Sequence, residues 1–217
     1  VAETVWSECV EIVESVDALN EQVKGVVKVN GKKSLDLKGG QKYKVKAANR
    51  KAGRGLSGDL VVLDELREHT NWDSWGAVTK TTMARPKAQI WGMSNAGDDS
   101  SVVLMSLRKK AHLAVGDPDG ICSGEALTAA DGTLGLFEWS ARPGLPVADR
   151  AGWAEANPSL GYTMAESTLA SACATDPEPV FRTECLCQWV TGMVEGPFGS
   201  EAWGLCEDVN GVIPEGA

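Results

Sequence analysis

Two acidic residues that follow a short apolar run form the strongest chemical signal in this sequence. The run is residues 60–63, with the sequence LVVL, and the acids are Asp64 and Glu65. Four consecutive apolar residues predict a strand that is covered on both faces of a mainly parallel sheet. Ligands bind at the carboxyl edge of such a sheet, and a buried strand does not end in two carboxylates without a ligand or a partner.

This arrangement is the Walker B pattern of ATP-hydrolysing domains. We expect Asp64 to hold Mg²⁺ through the water shell of the ion, because Mg²⁺ keeps several waters and binds few carboxylates. We expect Glu65 to orient and deprotonate the water that attacks ATP. The alternative is that both acids cap the helix that follows, since short motifs also occur by chance.

A second polar cluster follows the next predicted strand, residues 89–93. It consists of Ser94, Asn95, Ala96 and Gly97. Ser94 and Asn95 can donate or accept hydrogen bonds, which is what a sensor of the γ-phosphate requires. The alternative is an ordinary turn between a strand and a helix, where Ser, Asn and Gly are also common.

The loop before the first of these strands, residues 48–59, is rich in glycine and in basic residues. It is not a phosphate-binding P-loop, because the sequence G-x-x-x-x-G-K-[ST] is absent here and elsewhere in the sequence. Glycine hinges around Arg50 and Arg54 nevertheless allow this loop to present an arginine to a phosphate, in its own subunit or in a neighbour.

The elements that must position these residues are predicted from hydrophobic periodicity and turn signals. Residues 3–24 read as one helix with an apolar stripe, residues 26–29, 34–37 and 43–47 as strands of an antiparallel β insert on the sheet, and residues 134–140 as a further strand. Further helices are predicted at 73–83 and 100–114. The fold class is therefore α/β with a mainly parallel sheet. The predicted stripe consists of Val5, Cys9, Ile12, Val16 and Leu19.

The pattern changes after Pro143, where helices predominate. A capping box at residues 163–166 predicts a helix that ends near Ala174. Residues 175–178 predict the start of another helix, because Pro177 suits the first turn and Glu178 suits the helix dipole. Its predicted buried face contains Phe181, Cys185 and Trp189, and residues 196–217 read as a linker.

Charge and cysteine content narrow the class of protein. The 217 residues carry a net charge of −9, but residues 24–54 contain eleven basic residues opposed only by Asp36. This asymmetry suggests a face that meets phosphate, although lysines that keep a hairpin soluble are the simpler explanation for most of them. The six cysteines include no C-x-x-C pair, so reduced thiols are expected. No apolar run approaches the roughly 18 residues that a membrane span needs.

Together these stretches resemble the large terminase subunit of tailed bacteriophages and prophages, over nearly the whole chain. The similar segments are residues 43–55, 60–66, 93–97, 136–141, 157–161 and 181–189. The resemblance implies an additional-strand, P-loop-type ATPase that drives double-stranded DNA into a procapsid, with an RNase H-like nuclease domain elsewhere. It also implies ATP and Mg²⁺ as cofactors, portal and small-terminase partners, a homo-oligomer, and the cytoplasm of a bacterial host.

Individual residues acquire roles from this resemblance. Asp64 and Glu65 match the Walker B pair, and residues 94–97 match the coupling motif. Arg54, or else Arg50, matches the region of an arginine finger that is supplied to a neighbouring subunit. Ser94, Asn95 and Arg50 would then lie near the nucleotide.

The resemblance further implies that residues 1–145 are the Walker B half of an ATPase domain and residues 146–217 a helical linker subdomain. The Walker A motif of the family is expected before Val1 and the nuclease acids after Ala217. The chain is therefore expected to be an internal fragment, or one product of an interrupted gene, and to be inactive alone. The alternatives are another P-loop ATPase such as a helicase, and a non-catalytic assembly module that kept only the fold.

Overall fold

The computed structural model describes residues 2–47, 57–117, 120–122 and 133–190. The chain divides into two compact units. The first comprises Val1–Asn95 and Ser100–Leu136, and the second comprises Ala96–Asp99 and Phe137–Ala217. The first unit ends at Leu136, nine residues before the end of the first domain predicted from the sequence, and that predicted boundary remains a prediction.

The first unit begins with two helices and a small antiparallel sheet. The helices are α1, Ala2–Ser15, and α2, Asp17–Asn20. The strands β1, Val23–Val27, β2, Ser34–Leu37, and β3, Lys42–Lys44, form a sheet of their own in that order. The prediction that this insert decorates the parallel sheet is therefore wrong.

Two predictions about the first helix are also wrong. The helix does not run to residue 24, because Val16 adopts an extended conformation (φ −111°, ψ 110°) and interrupts it. The predicted apolar stripe is not the buried face either, since Val5, Ile12, Val16 and Leu19 are all at least 43% exposed. The buried face instead contains Trp6 and Val10, which pack with Leu35 of β2. The indole of Trp6 removes more apolar area from water than any residue of the stripe.

The second part of this unit contains the parallel sheet. Strands β4, Leu60–Leu63, and β5, Gln89–Gly92, pair in parallel, with Leu60 opposite Gln89 and Leu63 opposite Gly92. Helix α3, Asp73–Thr79, lies between them in sequence, and helix α4, Val102–Ala114, follows them. The predicted adjacency of the two strands is confirmed.

Within the part of the chain that the structure describes, one face of this sheet is covered and the other is exposed. Leu63 of β4 packs with Leu66 and Val103 in a core that also includes Val61, Trp75, Val78, Leu104 and Leu107. Side chains alternate between the two faces of a strand. On the other face Leu60, Val62, Trp91 and Met93 are between 47% and 59% exposed. The strand bounds were predicted almost correctly, whereas the prediction that both faces are buried is wrong.

The described part of the second unit contains three helices: α5, Arg150–Ala156, α6, Glu166–Thr175, and α7, Glu178–Cys185. Asp149 begins α5 by accepting hydrogen bonds from the amides of Ala151 and Gly152. The helices enclose one core, composed of Ala141, Trp153, Ala156, Leu169, Phe181 and Leu186.

Three details of this unit differ from the prediction. Helix α6 begins at Glu166 after Ala165, with no side-chain cap, so the capping box at residue 163 does not form. Residues 134–140 are not a strand. Helix α7 ends at Cys185, so Trp189 lies beyond it. Residues 196–217, predicted to be a linker, lie outside the described part of the chain.

Candidate active site at the sheet edge

The carboxyl ends of β4 and β5 bring the predicted site residues to one edge of the parallel sheet. Asp64 and Glu65 directly follow β4, and Ser94 follows β5. Backbone hydrogen bonds continue past the strands: Met93 donates to the Leu63 carbonyl (2.9 Å), and Leu66 donates to the Met93 carbonyl (3.1 Å). The prediction that Asp64, Glu65 and Ser94 share a sheet edge is confirmed.

The chain turns sharply at the two acids. Glu65 lies in the left-handed region (φ 51°, ψ 51°), which is uncommon for a residue with a Cβ atom and occurs often at functional sites. Its amide donates a hydrogen bond of 3.1 Å to Oδ1 of Asp64. Both acids are half-buried. The turn therefore holds two carboxylates side by side at the edge of the sheet.

Leu66 holds this turn against the core of the first unit. Its side chain is 3% exposed and belongs to the core beneath β4. A Cβ atom built on Gly92 of β5 would approach Cδ2 of Leu66 to 2.7 Å, so a larger residue at this position would force the leucine side chain to shift. Gly92 therefore allows the Leu66 side chain to pack closely against β5.

Ser94 connects the two strand ends. Its Oγ accepts a hydrogen bond of 3.0 Å from the amide of Arg67, which lies two residues after Glu65 in the sequence. Ser94 itself is exposed, and Asn95 beside it is half-buried. Ala96 and Gly97 are buried and belong to the second unit, where the Gly97 carbonyl accepts a hydrogen bond from the Val190 amide (3.4 Å). The Ser94 hydroxyl at this edge is therefore bonded to the turn that follows β4.

Arg67 is a member of the site that the sequence reasoning missed. Its Nε lies 3.2 Å from Oε2 of Glu65 and 3.5 Å from Oε1 of Glu68. The Arg67 side chain is only 18% exposed. The sequence shows a basic residue two positions after Glu65. It does not show the left-handed turn that brings the side chains of Glu65 and Arg67 together.

Arg50 and Arg54 lie outside the described residues, so their proximity to the acids stays a prediction. Cys9, Cys122, Cys173, Cys185 and Cys187 are free thiols, and Cys206 lies outside the described part of the chain. Burial raises the pKa of the Cys185 thiol, and the nearby Asp176 and Glu184 carboxylates raise it further.

The two carboxylates at the strand end are oxygen donors of the kind that Mg²⁺ uses. Within the described residues no group of three or more His, Cys, Asp or Glu side chains is placed to hold a metal ion. Mg²⁺ needs only one or two carboxylates, because water and phosphate complete its coordination. The half-buried Asp64 at the strand end meets this requirement.

Among the described residues no helix is long and apolar enough to cross a membrane.

A comparison with solved structures identifies the architecture. The crystal structure of the HK97 bacteriophage large terminase aligns with this chain at a TM-score of 0.67 and 23% sequence identity. The chain has a terminase-like fold. The alignment covers 93% of this chain and 40% of that terminase, so the chain spans two-fifths of its length. No protein-family model and no curated protein matches the chain.

Proposed function

We propose that this chain supplies the Walker B half of the ATPase in a terminase large subunit, the part of a viral DNA-packaging motor that hydrolyses ATP. The observation that carries the proposal is the meeting of Asp64, Glu65 and Ser94 at the carboxyl edge of one parallel sheet. Ligands of open α/β sheets bind at this edge. The terminase-like fold supports the same assignment.

Each residue has a distinct role in the proposal. Asp64 would hold Mg²⁺, which supplies charge neutralisation for the ATP phosphates when it is bound. Glu65 accepts a proton from the attacking water, and ADP and inorganic phosphate leave. The Ser94 hydroxyl and the neighbouring Asn95 report the presence of the γ-phosphate by hydrogen bonding.

The proposal extends to residues and partners beyond the described site. Arg54, or else Arg50, acts as an arginine finger towards a neighbouring subunit of a homo-oligomer. Double-stranded DNA is the translocated substrate, and the portal and small terminase subunit are the assembly partners. A phosphate-binding loop must join the site from outside these 217 residues, because the sequence has none.

Glu65→Gln tests the proposal, and it must be made in a polypeptide that unites this chain with a phosphate-binding loop. We expect ATP hydrolysis to fall by about 10²–10⁴-fold, the usual worth of a general base, while ATP binding is retained. Asp64→Ala is expected to weaken Mg·ATP binding as well. Binding and turnover are measured separately for both variants.

Glu68→Gln is the matched control, because Glu68 has the same side chain three residues away and is 71% exposed. It should leave turnover unchanged. Hydrolysis at the parental rate in Glu65→Gln would show that Glu65 is not the base and that the role proposed for the end of β4 is wrong.

A further inference from the structure

We infer that Arg67 is a positioning residue that holds Glu65 in the orientation needed to receive a proton from water. The inference rests on the proposed function of Glu65 as the base. Its basis is an ion pair of 3.2 Å between Nε of Arg67 and Oε2 of Glu65. Because Arg67 contacts the proposed base, it is assigned a role that acts through Glu65.

Arg67 is fixed at two points. Its backbone amide donates to Oγ of Ser94 at the end of β5, while its guanidinium reaches back to Glu65 at the end of β4. The backbone of Glu65 adopts a left-handed conformation. This turn brings the side chains of Glu65 and Arg67 towards each other. The base is thus tied to both strands of the sheet, and its position follows that of Ser94.

The side chains of Arg67 and Glu65 are buried to different extents. Oε2 of Glu65 is buried, whereas the Glu65 side chain as a whole is 41% exposed, so its other atoms carry the exposure. Arg67 is 18% exposed and stays charged, because a guanidinium does not deprotonate in proteins. One carboxylate oxygen is therefore anchored while the rest of the group remains open to solvent. Orientation of a catalytic base by a third group is a common requirement of proton transfer.

Two other ion pairs of the first unit help to isolate this effect. Glu68 also approaches Arg67, but at 3.5 Å and with 71% of its side chain exposed, so it is the weaker partner. Arg85 provides a matched arginine in the same unit: its Nε donates to Oγ of Ser57 (2.9 Å) and lies 3.7 Å from the exposed Asp59. Arg85 contacts neither acid of the strand end in any of these interactions.

The first experiment uses this chain alone and observes the Arg67 Nε–H resonance by NMR. Glu65→Gln should shift this resonance, because the negative charge 3.2 Å from Nε is lost. Glu68→Gln should change it much less. If Glu68→Gln has the larger effect, the partner of Arg67 in solution is Glu68 and the inference is overturned.

The second experiment measures ATP turnover in the same joined polypeptide used for Glu65→Gln. We expect Arg67→Gln to lower kcat by about 10–100-fold with little change in KM, since misplacement of a catalytic group by about 1 Å can cost 10²-fold. Arg67→Lys should recover part of the loss, because it restores the charge without the planar fork. Arg85→Gln should retain the parental kcat.

A double variant separates positioning from general support of the fold. Once Glu65 is glutamine, Arg67→Gln should lower kcat no further, because both changes remove the same function. An additional tenfold loss in the double variant would indicate a structural role and overturn the inference. If Glu65→Gln abolishes turnover but Arg67→Gln does not, the inference fails and the proposed function stands. If Glu65→Gln is fully active, the proposed function itself fails.

Discussion

The helical core of the second unit and the parallel sheet of the first use apolar residues in opposite ways. In the helical core Trp153, Phe181 and Leu186 are each 1% exposed. In the sheet Leu63 is 5% exposed, but Leu60 on the same strand is 59% exposed. Helices α5 to α7 close a core within one short stretch of sequence. Among the described residues, the two strands bury apolar side chains on one face.

This contrast follows from the geometry of the two kinds of element. A helix needs burial along one stripe, and three short neighbouring helices can provide it for one another. A parallel strand exposes two faces, and sheets of this kind normally have both of them covered. The sequence LVVL has the composition of a doubly covered strand, whereas the described structure covers it once. The helical core should therefore be the more sensitive of the two regions to loss of a large side chain.

The largest expected effect is in the helical core. Trp153 packs against Phe181 with ring centroids 6.0 Å apart, and its indole nitrogen donates to the Val147 carbonyl (2.6 Å). Trp153→Ala should lower the free energy of unfolding of this unit by about 3–5 kcal/mol, because it leaves a large cavity and an unpaired carbonyl. Chemical denaturation, monitored by the hydrogen exchange of amides in α5 to α7, measures this change.

Tyr162→Ala is the control for that substitution, because Tyr162 is an aromatic residue of the same unit that is 89% exposed. Its effect should stay within about 0.5 kcal/mol. Equal effects at Trp153 and Tyr162 would show that the helical core is not the main source of stability in this unit.

Two leucines of β4 allow the same comparison within one strand. Leu63→Ala removes a buried side chain from the core that contains Leu66 and Val103, and should cost about 2–5 kcal/mol. Leu60→Ala removes the same atoms from the outer face, where the side chain is 59% exposed, and should cost much less. Urea unfolding curves of the two variants decide the matter. A Leu60→Ala cost equal to that of Leu63→Ala would mean that the outer face is covered in solution.

The parts of the fold that could be predicted are those that local sequence determines. The bounds of β4 and the adjacency of β4 and β5 follow from apolar runs and from the preference of α/β chains for parallel strands. The buried face of α1 could not be predicted from periodicity, because residues 2–15 offer apolar side chains on more than one face. The packing of Trp6 against β2 selected among them.

The candidate site divides in the same way. The acids of the site and Ser94 were predictable because sheet topology alone brings the ends of parallel strands together. The Arg67 ion pair was not, since it depends on the left-handed conformation of Glu65, and no side-chain pattern encodes that conformation. The packing of Leu66 over Gly92 is equally a tertiary feature.

The smallest expected effect concerns His69, which links the site turn to α4. Its amide donates to the Leu66 carbonyl (3.2 Å), and its carbonyl accepts from the Val103 amide (3.4 Å). Nδ1 of its ring is buried, without a hydrogen-bond partner among the described residues. Burial lowers the pKa of His69 below its usual value of 6.5, because the charged imidazolium loses its hydration.

The sign of the resulting pH dependence is fixed by this direction. Above pH 6.5 the ring is neutral in both the folded and the unfolded chain, so its contribution to stability is fully present. As the pH falls through 6.5 towards the lowered folded value, the unfolded chain binds a proton that the folded chain does not, and this contribution is lost. The free energy of unfolding of the first unit should therefore fall more between pH 7.5 and pH 5.5 in the parent than in His69→Gln. Equal losses in the two proteins would show that His69 does not titrate differently in the folded state, and that the turn between Glu65 and α4 is insensitive to protonation of this ring.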